Sequence, residues 1–71
     1  MIVNVYYRDE ETGSVRAGRA YSYRCSIPNA SVGMEVIAPT AQRNARAVIC
    51  EVNVPESQID ERILPLLKEI T

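Results

Sequence analysis

Apolar and polar residues alternate between positions 14 and 27, and this pattern constrains the fold more than any other feature of the chain. The apolar parity comprises Val15, Ala17, Tyr21, Tyr23, Cys25 and Ile27, and the polar parity comprises Ser14, Arg16, Ser22, Arg24 and Ser26. Successive side chains of a strand point to opposite faces of the sheet. The stretch therefore predicts one long strand with an apolar inner face and a basic outer face.

Gly18 and Arg19 interrupt this alternation. A glycine within a strand pattern often marks a bulge or a sharp bend. We therefore expect the strand to bend near Gly18, as strands do when a small sheet curls into a barrel. On this parity, Tyr21 and Tyr23 help to fill the core.

Three further strands are expected around this one. Residues 2–7 are rich in β-branched and aromatic types and lead into a tight turn at residues 9–13. Residues 32–39 alternate again, with Val32, Met34, Val36 and Ala38 on one parity, and they end at a proline, which cannot donate to a strand ladder. Residues 45–54 form the last strand, and the side chains expected to share one of its faces are Val48, Cys50, Val52 and Val54. Ile49 falls on the opposite face, so we expect both sides of the strand to be partly covered there.

The periodicity changes near the C-terminus. Apolar residues there follow a helical spacing, namely Ile59, Ile63, Leu66, Leu67 and Ile70. Because proline is tolerated only in the first turn of a helix, Pro65 predicts a short helix from about Leu64 to Ile70. The expected fold is mainly β: one domain with a small antiparallel SH3-like barrel of four or five strands at residues 1–54, and a turn and a short C-terminal helix at residues 56–71.

Composition argues against several kinds of chemistry. The chain of 71 residues has no histidine, its three glycines are scattered, and its two cysteines, Cys25 and Cys50, lack a metal-ligand spacing. We interpret the cysteines as small buried apolar residues rather than as a redox pair. We expect no enzyme activity, no metal and no cofactor. Without a signal peptide or an apolar run of membrane-spanning length, we expect a complete cytoplasmic protein that does not engage a membrane.

Positive charge is concentrated in the middle of the chain. Between residues 14 and 50, Glu35 is the single acid, against five arginines: Arg16, Arg19, Arg24, Arg43 and Arg46. A basic centre is typical of nucleic-acid binding, although we favour the alternative that the arginines form a solvated strand face. With one tyrosine, Tyr7, they are the candidate contacts for a nucleic acid or another partner. Parity separates Arg16 and Arg24 from Tyr21 and Tyr23, so Tyr6 or Tyr7 makes the better stacking partner.

The order of these motifs resembles a known class of small barrels. Tyr21-Ser22-Tyr23, then Val32-Gly33-Met34-Glu35-Val36-Ile37-Ala38-Pro39, then Ala47-Val48-Ile49-Cys50-Glu51-Val52 is similar to a pattern in SH3-like barrels of nucleic-acid and translation proteins. The N-terminal DNA-end-binding domain of the primosomal replication helicase carries it, and short phage- and prophage-encoded proteins look similar. The chain has Thr40 and Ala41 where the helicase domain has an aromatic residue and a glycine, and Ala47 where that domain has a glycine. The resemblance therefore implies the fold and not the DNA-end site.

Two functions follow as hypotheses. The first, which we favour from the sequence, is a non-catalytic interaction module that binds a protein partner or self-associates, in the role of a phage or prophage accessory protein. The second is a nucleic-acid-binding small barrel that uses the arginine face.

Overall fold

The computed structural model describes all residues, Met1–Thr71, and its regular structure is almost entirely β. The five strands are β1 (Ile2–Tyr7), β2 (Tyr21–Cys25), β3 (Glu35–Pro39), β4 (Asn44–Glu51) and β5 (Glu69–Ile70). Two single turns of 3-10 helix, Glu56–Gln58 and Leu64–Leu66, lie between β4 and β5. The prediction of a mainly β fold with four or five strands is confirmed.

The strands form one sheet in the order β3-β4-β1-β2-β5. All neighbouring strands are antiparallel except β2 and β5, which are parallel. The two edge strands β3 and β5 approach each other without pairing, so the sheet curls into a nearly closed barrel. None of the helical segments has the length and apolar character needed to cross a membrane.

The inner face of this barrel forms a continuous apolar core. Alternate residues of every strand contribute, and the buried cluster comprises Val3, Val5, Tyr23, Cys25, Val36, Ala38, Ala47, Ile49 and Ile70. The registers explain why they meet, because Val3 lies opposite Tyr23 and Val36 lies opposite Ala47. The parities predicted for Tyr23 and Cys25 and for Val36 and Ala38 are confirmed.

The last strand has the alternation predicted for it, with Val48 and Cys50 on one face and Ile49 on the opposite one. In β4 the inward side chains are Ala47 and Ile49, both fully buried, whereas Val48 and Cys50 are half-buried on the outer side. Both parities of this strand are apolar, so its own pattern cannot select a face. The selection comes from its neighbours: Val5 on β1 lies opposite Ile49, and a register irregularity follows at Asn4 and Val5.

The prediction of one long strand over residues 14–27 is wrong, although the expected bend near Gly18 is present. The turn at residues 9–13 forms as predicted: the Asp9 carboxylate accepts from the amides of Glu11 and Thr12, and Gly13 adopts a φ of 75°. After a single bridge between Arg8 and Val15, however, the chain turns at residues 17–18 and pairs again only from Tyr21.

The C-terminal helix is replaced by a 3-10 turn and a strand. Pro65 occupies the first turn of Leu64–Leu66, and too few residues follow it to sustain an α-helix in water. The backbone instead pairs with the free edge of β2: the Arg24 amide donates to the Lys68 carbonyl at 3.0 Å and the Ser26 amide to the Ile70 carbonyl at 3.1 Å. Ile70 is thereby buried in the core.

Candidate functional site

Three tyrosines gather at one end of the barrel. Tyr7 ends β1, Tyr21 begins β2, and both have the parity of the inner face, as does Tyr23. The barrel is open at this end, so Tyr23 is buried while Tyr7 is half-buried and Tyr21 remains 37% exposed. The ring centroids of Tyr7 and Tyr21 are 4.7 Å apart with a tilt of 38°, which is a favourable aromatic contact.

The hydroxyl groups of two of these tyrosines form a directed chain. Tyr23 donates to the Pro39 carbonyl at 2.9 Å, and its hydroxyl is also hydrogen-bonded to that of Tyr7. A carbonyl only accepts, so the single proton of Tyr23 goes to Pro39 and Tyr7 donates to Tyr23. Burial, followed by the contact with Tyr7, raises the pKa of Tyr23 well above its ordinary value. The tyrosine cluster is thus fixed to β3 from inside.

Two arginines border the exposed ring. Tyr7, Arg16, Gly18, Arg19 and Tyr21 line a cleft of about 310 Å³. The Arg19 Cζ atom lies 5.2 Å from the centroid of the Tyr21 ring, within the range of a cation–π contact worth about 0.5–1 kcal/mol at an exposed site. Neither Arg16 nor Arg19 makes a salt bridge. We call Tyr7, Tyr21, Arg16 and Arg19 the Tyr–Arg face.

A second cleft adjoins this face on the side of the loop between β3 and β4. Tyr7, Arg16 and Tyr21 line it as well, together with Arg8, Glu10, Thr40, Gln42, Arg43 and Ala45. Its other two arginines have acidic partners. Arg8 forms a two-pronged contact with Glu35 at 3.0 and 2.6 Å, and Arg43 lies 3.6 Å from Glu10. The contact with Arg8 lowers the pKa of the Glu35 carboxyl. Arg16 and Arg19 are therefore the arginines of this end whose guanidinium groups are not held in a salt bridge.

The third cleft beside the tyrosines is more apolar. Tyr7, Tyr21 and Tyr23 line it with residues from the 3-10 turn that precedes β5, including Leu66 and Leu67. Leu66 is 70% exposed, the most of any large apolar side chain in the protein. The tyrosines are thus flanked by a basic cleft on one side and a leucine-lined cleft on the other.

The structure brings four of the six predicted contact residues to this end of the barrel. They are Tyr7, Arg16, Arg19 and Arg43. Arg24 lies elsewhere, in a cleft with Met1 and Asn53, and its guanidinium donates to the Leu64 carbonyl at 3.5 Å. Arg46 lies on β4 opposite Ile37, at a groove near the C-terminal residue. The predicted basic strand face is therefore not one surface.

Sequence reasoning missed Tyr21 as a site residue. Parity assigned it to the core and separated it from Arg16, because the alternation was carried across residues 14–27 as one strand. The turn at residues 17–18 breaks that strand, so residues on its two sides need not share a parity. The break in the pattern at Gly18-Arg19 was the available signal.

The two thiols lie away from this face. Cys25 is buried on β2 and Cys50 is half-buried on β4, with β1 between them, and both are free. The Cys50 thiol donates to the Asn4 carbonyl at 3.3 Å, and burial raises its pKa, so the reactive thiolate is disfavoured there. The prediction that both cysteines are buried is confirmed for Cys25, whereas Cys50 is only half-buried.

No group of three or more cysteine, aspartate and glutamate side chains in the structure could hold a metal ion.

Comparisons with known proteins identify no relative of this chain. No family model, curated protein or solved structure matches this chain.

Proposed function

We propose that this protein is a non-catalytic binding module whose Tyr–Arg face contacts single-stranded nucleic acid. The observation that carries the proposal is the presence of two arginines without a salt bridge, Arg16 and Arg19, in the same cleft as the exposed ring of Tyr21. This changes the preference that the sequence supported, because parity had separated Arg16 from Tyr21.

The chemistry of the face suits a single strand. Aromatic rings stack bases of any sequence, while guanidinium groups attract the phosphates and stack on rings themselves. An unpaired guanidinium meets a phosphate without first breaking a salt bridge. By contrast, Arg43 must give up its contact with Glu10 and Arg8 its contacts with Glu35. Arg16 and Arg19 are therefore the expected phosphate contacts, and Arg43 is a weaker one.

A salt titration tests the proposal. Fluorescence anisotropy with a short labelled single strand should show binding at low salt that weakens as salt rises. For single strands the logarithm of the binding constant falls linearly with the logarithm of the salt concentration. The slope is roughly 0.7 per phosphate contact, so two contacts give a slope of roughly 1.4. The double variant Arg16→Ala/Arg19→Ala should lose most of this slope.

Arg46→Ala is the matched control. Arg46 also has no salt bridge, but it lies on β4 away from the Tyr–Arg face, so its removal changes the net charge without touching the site. Its slope should stay close to that of the wild type. Absence of binding at low salt, or an equal loss in Arg46→Ala, would contradict the proposal.

A protein partner or self-association is the second candidate, and the exposed Leu66 favours it. This side chain lies in the apolar cleft beside Tyr21 and Tyr23, where an apolar segment of a partner or of a second copy would fit. If the chain self-associates there, Leu66→Ser should abolish a concentration-dependent mass in sedimentation. A mass that is monomeric at every concentration contradicts self-association. The SH3-like relationship, the phage or prophage origin, the single-domain organisation, the cytoplasmic location and the absence of enzyme activity stay predictions.

A further inference from the structure

We infer that Arg19 is a clamp that closes over a base stacked on Tyr21, so that the ligand of the Tyr–Arg face is an unpaired base together with its adjoining phosphate. This inference rests on the proposed function and adds the binding mode of one residue. It selects single strands over duplexes.

The stacking surface is held in place before any ligand arrives. Tyr21 lies in β2 opposite Val5, and the Tyr7 ring braces it at a centroid distance of 4.7 Å. Tyr7 is in turn hydrogen-bonded through its hydroxyl to Tyr23, which is tied to the Pro39 carbonyl. A surface that needs no ordering on binding saves the entropy that a mobile ring would lose.

Arg19, by contrast, is held by few contacts. It lies in the irregular segment between the turn at residues 17–18 and the start of β2, and it makes no salt bridge. Its one specific contact is with the Tyr21 ring, 5.2 Å from the centroid. A base between the two needs two stacking spacings of about 3.4 Å each, so the guanidinium has to move outward by roughly 2 Å. That movement breaks the weak contact between Arg19 and the Tyr21 ring. In its place the base stacks on the ring with one face and on the guanidinium with the other.

Arg16 supplies the charge beside this clamp. It lines the same cleft and makes no salt bridge, so the phosphate of a clamped nucleotide can lie against it. A base in a duplex is already stacked on both faces and would have to be flipped out at a cost in free energy before it could enter. The face therefore discriminates against duplexes through the base and not through the phosphates.

A comparison of three ligands tests the inference: a short oligothymidine, an abasic strand with the same number of phosphates, and a blunt duplex. The wild-type protein should bind the oligothymidine roughly 5- to 150-fold more tightly than the abasic strand, which is the range for stacking of one base. The duplex should bind no more tightly than the abasic strand.

Arg19→Lys isolates the clamp, because lysine keeps the charge and lacks the flat guanidinium. This variant should lose most of the preference for the oligothymidine while its affinity for the abasic strand stays unchanged. Arg46→Lys is the matched control and should keep the full preference. Arg19 is exposed outside the strands, so neither variant should disturb folding.

The outcomes separate the two proposals. If the wild type binds the oligothymidine and the abasic strand equally, or if Arg19→Lys keeps the preference, the clamp is wrong and the proposed function stands on its phosphate contacts. If the wild type binds no strand at low salt, both proposals are wrong.

Discussion

Tyr7 donates its hydroxyl proton to Tyr23, and Tyr23 donates its own to the Pro39 carbonyl at 2.9 Å. The chain of donors links β1, β2 and the end of β3 at the open end of the barrel. Tyr23 is the central member, because it both accepts and donates. The two tyrosines are therefore not equivalent in stability, although each contributes one hydroxyl.

Removal of the Tyr23 hydroxyl should cost more than removal of the Tyr7 hydroxyl. Tyr23→Phe leaves the Pro39 carbonyl without its donor and Tyr7 without its acceptor, which predicts a loss of about 1–3 kcal/mol in the free energy of unfolding. Tyr7→Phe removes a single donor at a half-buried position, and about 0.5–1.5 kcal/mol is expected. Urea unfolding measures both. Equal losses, or the reverse order, would show that the chain does not run in this direction.

Alkaline pH should destabilise the fold through Tyr23. Its pKa is raised in the folded protein, so the unfolded chain releases this proton first. The stabilisation is complete below the ordinary tyrosine pKa near 10 and is lost as pH rises from there toward the raised value. In an absorbance titration, one of the four tyrosines should ionise only together with unfolding. In Tyr23→Phe this late step should be absent.

The two faces of β4 should respond differently to truncation. Ile49 is fully buried in the core, whereas Val48 is half-buried on the outer side. Ile49→Ala should cost about 2–5 kcal/mol, which covers the lost burial and the remaining cavity. Val48→Ala should cost about 1 kcal/mol. Denaturant unfolding of the pair checks the register, and a larger loss in Val48→Ala would show that Val48, and not Ile49, faces the core.

Truncation of two isoleucines near the C-terminus should have different effects on stability. Ile70 is 1% exposed and belongs to the core, whereas Ile63 is 49% exposed in the turn before Leu64–Leu66. Ile70→Ala should cost about 2–5 kcal/mol and Ile63→Ala no more than about 0.5 kcal/mol. A docked helix would place both side chains on its buried stripe, so comparable losses in thermal unfolding would favour the helix over β5.

Short-range patterns predicted the parts of the fold that depend on local geometry. The strand from Ile2 to Tyr7 and the turn that begins at Asp9 follow from residue types within a few positions. The inner parity of Tyr23 and Val36 was also correct, because each lies in an unbroken strand where side chains alternate strictly.

Tertiary contacts decided the rest. The face of β4 depended on its partners, since both of its parities are apolar and only the register with β1 and β3 turns Ile49 inward. The end of the chain pairs as β5 because β2 offers a free backbone edge, which a helical spacing cannot reveal. The Tyr–Arg face arises in the same way. The turn at residues 17–18 lets Arg16 and Tyr21 line one cleft, and an alternating pattern carries no information across such a break.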